Sequence, residues 1–206
     1  MKIQIKYNHQ DFEKTLNAAR QTESIADIMA IGSLPLYQKG IAAVTIFKET
    51  FPNKPLYVDA RITDKAEAAI KLFAQEGASY VSILAGAHFS IIQKAVETAK
   101  KYNIEVVLDF LNTDIFGQSA VESDTLGVNA MLLHRRINGN QTDLESDWQV
   151  IRGNSNLPIF IEGKIDEANI HQIVKLRPSV IVIGSAITNA LDPARTAANL
   201  KALINQ

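Results

Sequence analysis

Short apolar and β-branched runs recur at Lys2 to Tyr7, Ala26 to Ile31, Leu56 to Asp59, Tyr80 to Leu84, Ile104 to Phe110, Val128 to Leu133, Pro158 to Ile161 and Val180 to Ile183, and each reads as a strand. Between them the period changes. Asp64 to Gln75, Phe89 to Lys101, Ile165 to Leu176 and Asp192 to Ile204 carry apolar residues three and four apart, which predicts amphipathic helices. Gly77 and Gly127 stand just ahead of strands, where a left-handed residue ends a helix. Eight strand–helix units in 206 residues, about 26 residues each, predict a single (β/α)8 TIM barrel that forms one domain over 1–206. A doubly wound open sheet would use fewer strands for this length and a glycine-rich turn after the first, and Tyr7-Asn-His-Gln-Asp11 has no glycine.

The strand interiors are almost wholly apolar, but the strand ends are not. Asn8, Gly32 with Ser33, Asp59 with Arg61, Ala85 with Gly86, Asp109 with Asn112, His134 with Arg135 and Arg136, Glu162-Gly163-Lys164, and Gly184-Ser185 all sit where a strand gives way to its loop. In a closed parallel barrel these ends meet at one mouth, where ligands bind. If the backbone stays extended through Arg61, Asp59 and Arg61 share a face and both point into that mouth. The competing reading is an Asp–Arg pair that only closes the barrel top, with Asp64 as an N-cap partnered by Glu67.

Glu162-Gly163-Lys164 and Gly184-Ser185 follow the last two strands, where such barrels hold phosphate on backbone N–H groups; ordinary turn glycines are the alternative. His134 is placed to act as acid, base or donor to a substrate, with Arg135 or Arg136 on an anionic oxygen, or else as a structural histidine beside solvated arginines. His9, His88 and His171 read as structural or surface residues. No His-x-x-x-His spacing, Glu-rich metal motif or serine-nucleophile motif occurs.

Composition narrows the partners. The formal charge is −1, with Lys and Arg spread along the chain, which argues against nucleic acid or an anionic membrane and for a small anionic ligand. There is no cysteine, so disulfides, thiol nucleophiles and cysteine metal sites are excluded. Met1 to Lys6 has no long hydrophobic stretch of the kind a signal peptide or anchor needs, and a cytoplasmic protein is expected.

Val58-Asp-Ala-Arg-Ile-Thr-Asp64 resembles the Asp-x-Lys-x-x-Asp strand of the orotidine 5′-phosphate decarboxylase suprafamily, and most closely its sugar-phosphate branch of 3-hexulose-6-phosphate synthases and 3-keto-L-gulonate-6-phosphate decarboxylases. The resemblance spans the chain, through Ala30-Ile-Gly-Ser33, Val107-Leu-Asp109, His134, Gly163, Ile183-Gly-Ser-Ala-Ile187 and Ala190-Leu-Asp-Pro193. It implies a homodimeric barrel acting on a phosphorylated small molecule, in which Mg²⁺ stabilises an enediolate formed by loss of CO₂ or by removal of a proton before condensation with formaldehyde. By position it makes Asp59 the metal ligand, Asp64 a group reaching the neighbouring subunit's site and His134 an acid or substrate contact. Asn8 and Asp109 would bind substrate with Arg135, and Gly163, Lys164, Gly184 and Ser185 would cradle phosphate.

Several residues depart from that pattern. Asn8 replaces the family's first-strand Asp, Ala30 its metal-binding Glu, Arg61 its lysine, Lys164 the second glycine of the phosphate turn, and Ile137 an arginine or tyrosine. Alanine ligates nothing, and arginine holds an anion but moves protons poorly. The expectation is therefore a carbon–carbon lyase of the hexulose-phosphate-synthase type. The alternatives are a decarboxylase-like enzyme and a phosphosugar-binding paralogue, with a further variant in which Arg61 and Lys164 take over from Mg²⁺.

Overall fold

A computed structural model describes residues 1–135 and 141–205. Eight strands, β1 (Lys2–Tyr7), β2 (Ile28–Ile31), β3 (Leu56–Ile62), β4 (Tyr80–Leu84), β5 (Glu105–Asp109), β6 (Ala130–His134), β7 (Ile159–Glu162) and β8 (Val180–Ile183), pair in chain order. All pairs are parallel, and β8 closes on β1 through Lys2↔Val180 to Ile5↔Ile183. The first units carry α1 (Phe12–Thr22), α2 (Ser33–Lys39), α3 (Ala42–Thr50), α4 (Ala66–Gln75) and α5 (Phe89–Tyr102). The later ones carry α6 (Phe116–Leu126), α7 (Gln141–Asn154), α8 (Ile170–Lys175), α9 (Ser185–Thr188) and α10 (Pro193–Ile204). The expected (β/α)8 barrel is the observed one.

Strands buried on both faces read as continuous apolar runs, which is why β4 and β8 begin and end where the sequence pattern does, and the alternating β1 also keeps its expected bounds. Gly77 and Gly127 take φ of +85° and +72°, ending helices as expected. Most other boundaries shift by one or two residues, and two move further. Helix α8 starts at Ile170, well after Ile165, because Asp166 and Asn169 fold the intervening residues into a side-chain-bonded turn: Asp166 Oδ1 accepts from Ala168 N–H, and Asn169 Nδ2 donates to the Lys164 carbonyl. Strand β3 runs past Asp59 to Ile62, with a register shift against β4 between Val58 and Ile62.

Alternation divides the core in two. Outward residues such as Ile3, Ile5, Met29 and Ile181 pack under the helices, while Ile28, Ala30, Val107, Leu132 and Val182 fill the barrel. Deep inside, the rings of Tyr57, Tyr80 and Phe160 meet with centroids 6.2–6.4 Å apart. The next inward position on each odd-numbered strand is ionisable: Lys6, Asp59, Asp109 and Glu162. Alternate strands supply each layer of such a barrel, so the apolar core is capped by a layer of charge.

Candidate active site

The charged layer and the residues above it form a continuous chain of contacts. Glu162 Oε1 accepts from Lys6 Nζ at 2.6 Å, and the same ammonium lies 2.8 Å from Asp59 Oδ2. Arg61 Nε donates to Asp59 Oδ1 at 3.1 Å and stands 3.2 Å from Asp109 Oδ2. His134 Nε2 is 2.6 Å from Asp109 Oδ1. Asp59 and Asp109 are 2% and 0% exposed, so both carboxylates are taken out of water and set against the neighbouring cations.

Burial works to lower the Lys6 pKa, but Glu162 and Asp59 outweigh it and hold the ammonium above its ordinary value. Arg61 behaves likewise, its desolvation offset by Asp59, Asp109 and Glu162. For Asp109, burial pushes the pKa up, but the His134 hydrogen bond and charge, the Leu111 N–H and Arg61 together bring it below the usual carboxylate value. Asp109 is thus an acceptor, and the short contact requires the proton to lie on His134 Nε2. In the neutral ring Nδ1 is then the basic nitrogen.

Arg61 reaches this position by a route different from the extended one. Its φ is +46°, a left-handed bulge, and the Ser82 hydroxyl holds it by accepting the Arg61 N–H at 2.9 Å while donating to Asp59 Oδ1 at 3.3 Å. Lys164, which lines the mouth, also takes a positive φ of +44°, as do Lys65, Asn103 and Arg177 away from it. Left-handed backbone costs a non-glycine residue roughly 1–2 kcal/mol, and strain of this kind gathers where side chains are aimed at a ligand.

Two clefts open on the mouth, on either side of the loop after β7. One, about 250 Å³, is lined by Lys6, Asn8, Glu162, Lys164, Gly184 and Ser185 among others. The second is lined by Phe110, Leu111, His134, Arg135, Glu162 and Lys164 among others. Glu162 and Gly163 border both. At Gly163 φ is +130°, and a Cβ there would lie 2.6 Å from the Arg135 carbonyl oxygen, so only glycine lets the two loops pass this closely.

The structure therefore brings Asp59, Arg61, Asp109, His134, Arg135, Gly163, Lys164, Gly184 and Ser185 to one rim. Asn8 borders the first cleft, but its Oδ1 is used by the Leu34 N–H at 2.9 Å. Asp64 lies elsewhere: its side chain is 69% exposed and accepts from the Lys65 N–H. It is not the cap of α4, because the chain turns left-handed at Lys65 and that residue takes the N-cap position. Arg136 and Ile137 lie outside the described residues. His88 caps α5 through the Ser90 N–H, a structural role as expected. His9, also expected to be structural, lines the first cleft and meets Asn189 Oδ1 at 2.9 Å. Lys6 and Ser82 were missed as site residues. The signal for Lys6 was the polar face of the first strand.

Magnesium requires several oxygen ligands in octahedral geometry. Ala30 is fully buried and has no donor, and both oxygens of Asp59 already face cations. Among the described residues no group of three His, Cys, Asp or Glu side chains is arranged to hold a metal. No helix among them is long and apolar enough to cross a membrane.

The family model described as orotidine 5′-phosphate decarboxylase / HUMPS family matches residues 1–200. A 3-hexulose-6-phosphate synthase of Bacillus subtilis is 26% identical, with all of both chains covered. Among solved structures, a 3-hexulose-6-phosphate synthase from Salmonella typhimurium superposes with a TM-score of 0.92 at 25% identity, covering 100% of this chain and 99% of that one. A 3-keto-L-gulonate-6-phosphate decarboxylase from Vibrio cholerae gives 0.85 at 23%, covering 99% and 97%, which shows a common fold.

Proposed function

The chain belongs to the orotidine 5′-phosphate decarboxylase / HUMPS family, and from that premise we propose that it is a carbon–carbon lyase acting on a phosphorylated keto sugar through an enediolate, of the 3-hexulose-6-phosphate synthase type. One observation carries this reading: a single rim holds a small cleft lined by Lys6 and Lys164 beside a second cleft lined by His134, whose ring is paired with the buried Asp109. A phosphate ester fits the first, where Lys164 supplies charge and the opening amides of α9 lack intrahelical acceptors. Its carbonyl end then falls at the loop that separates the clefts.

His134 Nδ1 takes a proton from C1 of the ketose. The C1–H electron pair becomes the C1–C2 double bond, and the carbonyl pair moves to O2, giving an enediolate faced by the cations of the rim. Attack of C1 on formaldehyde forms the new carbon–carbon bond, and the aldehyde oxygen recovers the proton from His134. Asp109 keeps the imidazole in one tautomer throughout.

The first half-reaction is testable alone. Incubated with ribulose 5-phosphate in D₂O, the protein is expected to wash deuterium into C1, followed by proton NMR. Absence of exchange at high protein concentration removes the lyase assignment. It would leave a phosphosugar-binding paralogue, a reading favoured by the pairing of both Asp59 oxygens with cations. CO₂ release from 3-keto-L-gulonate 6-phosphate tests the decarboxylase alternative, for which Arg135 beside His134 is the relevant feature.

The same reading makes the active form a homodimer. Asp64 borders a surface cleft lined by residues of α4 and α5, including Lys71 and Ile91, and a second copy seated there would carry this carboxylate to its mouth. Light scattering is expected to give twice the chain mass. A monomer retaining full exchange activity would exclude the arrangement.

A further inference from the structure

Lys6 and Ala30 are opposite each other in the β1–β2 register. The resemblance places a carboxylate at position 30 and a metal ion in front of Asp59. Here position 30 ends in a methyl group, and the space before Asp59 is entered from β1, across β2, by an ammonium 2.8 Å from Asp59 Oδ2 and 2.6 Å from Glu162 Oε1. A dication in contact with Asp59 would lie against that fixed positive charge with one carboxylate in place of two, so the donor set rejects it.

An ammonium has three N–H donors. One of those on Lys6 is donated to Glu162, the ammonium also forms an ion pair with Asp59 Oδ2, and no other protein acceptor lies against it among the described residues, while the side chain lines the small cleft of the mouth. We propose that the Lys6 ammonium is the resident cation of this site, donating to the ketose oxygen on which enediolate charge develops, so that the reaction proceeds without a divalent ion. The proposal rests on the enediolate reading above and assigns the charge-stabilising role within it. Carboxylates grip the ammonium from two sides, so it is already oriented when the charge appears and needs no reorganisation. It also replaces the assignment of that role to Arg61 and Lys164. Arg61 places its Nε between Asp59 and Asp109, and Lys164 is exposed on the outer loop.

Exchange at C1 is measured after EDTA treatment, with and without added Mg²⁺, in the unaltered protein, in Lys6→Met and in Lys6→Met/Glu162→Gln; the double variant restores charge balance should the single one fail to fold. The unaltered protein is expected to exchange at the same rate under both conditions and to give no binding heat with Mg²⁺ in calorimetry. The lysine variants are expected to lose about a hundredfold in maximal exchange rate, with half-saturation by ribulose 5-phosphate held within about threefold, a split that a merely structural role would not produce. Exchange lost in EDTA and restored by Mg²⁺ overturns the Lys6 assignment and leaves the lyase reading intact. So does a variant with the original rate, a variant altered only in half-saturation, or a borohydride-trapped sugar adduct on Lys6, which would make the residue a nucleophile. No exchange by the unaltered protein under any condition overturns both.

Discussion

Asp59→Ala is expected to lower the free energy of unfolding by about 3–5 kcal/mol, read as a fall in the urea midpoint at unchanged slope. The carboxylate is 2% exposed and joins two cations that would otherwise repel across the barrel interior: Lys6 at 2.8 Å and Arg61 at 3.1 Å. Removing one member of a buried ionic group leaves the others desolvated and unpaired, which costs more than the intact pair contributed. Lys6 keeps Glu162 and Arg61 keeps Asp109, so the fold survives weakened. The double variant Lys6→Met/Asp59→Leu removes charge from both sides and is expected to recover most of the loss, because apolar residues of similar size replace buried pairs at little net cost. If Asp59→Ala stays within about 1 kcal/mol of the unaltered protein, the charged layer is not a structural unit.

This coupling explains which parts of the site could be read before the fold was seen. Eight apolar runs of strand length leave little choice but a closed barrel, and closure alone brings polar strand ends from across the chain to one rim. His134, Asp109 and the glycines after β7 and β8 were legible for that reason. Lys6 was not. Lys2, Gln4 and Lys6 alternate with Ile3, Ile5 and Tyr7, the pattern of a strand with one wet face. Only closure decides that the apolar face packs under the helices and the polar face turns inward, burying Gln4 to 1% and Lys6 to 7% exposure.

Arg61 met Asp59 as foreseen, but through a bulge whose positive φ no propensity rule predicts for arginine. Asn8 carries a structural duty that the sequence did not reveal. It borders the first cleft, and its carbonyl oxygen also holds the Leu34 N–H over Gly32, a packing requirement visible only once the two loops are adjacent.

His134→Gln is expected to reduce C1 exchange about a thousandfold, within the range lost when a positioned acid–base group is removed, while sugar-phosphate binding by calorimetry is retained. Glutamine can still donate an N–H to Asp109 but has no titrating nitrogen for the C1 proton, so the substitution separates orientation from proton transfer. A second readout checks the geometry. Asp109 has a depressed pKa in the folded protein, owing in part to His134, so its contribution to stability is complete above the unfolded carboxylate value of about 3.9 and disappears as pH falls through the folded value. Glutamine's neutral donor weakens that depression. The part of the stability difference that comes through Asp109 is therefore expected to close as pH falls below about 4. Exchange that survives in His134→Gln would move the base elsewhere on the rim, and Glu162, which borders both clefts, would be the next carboxylate to replace.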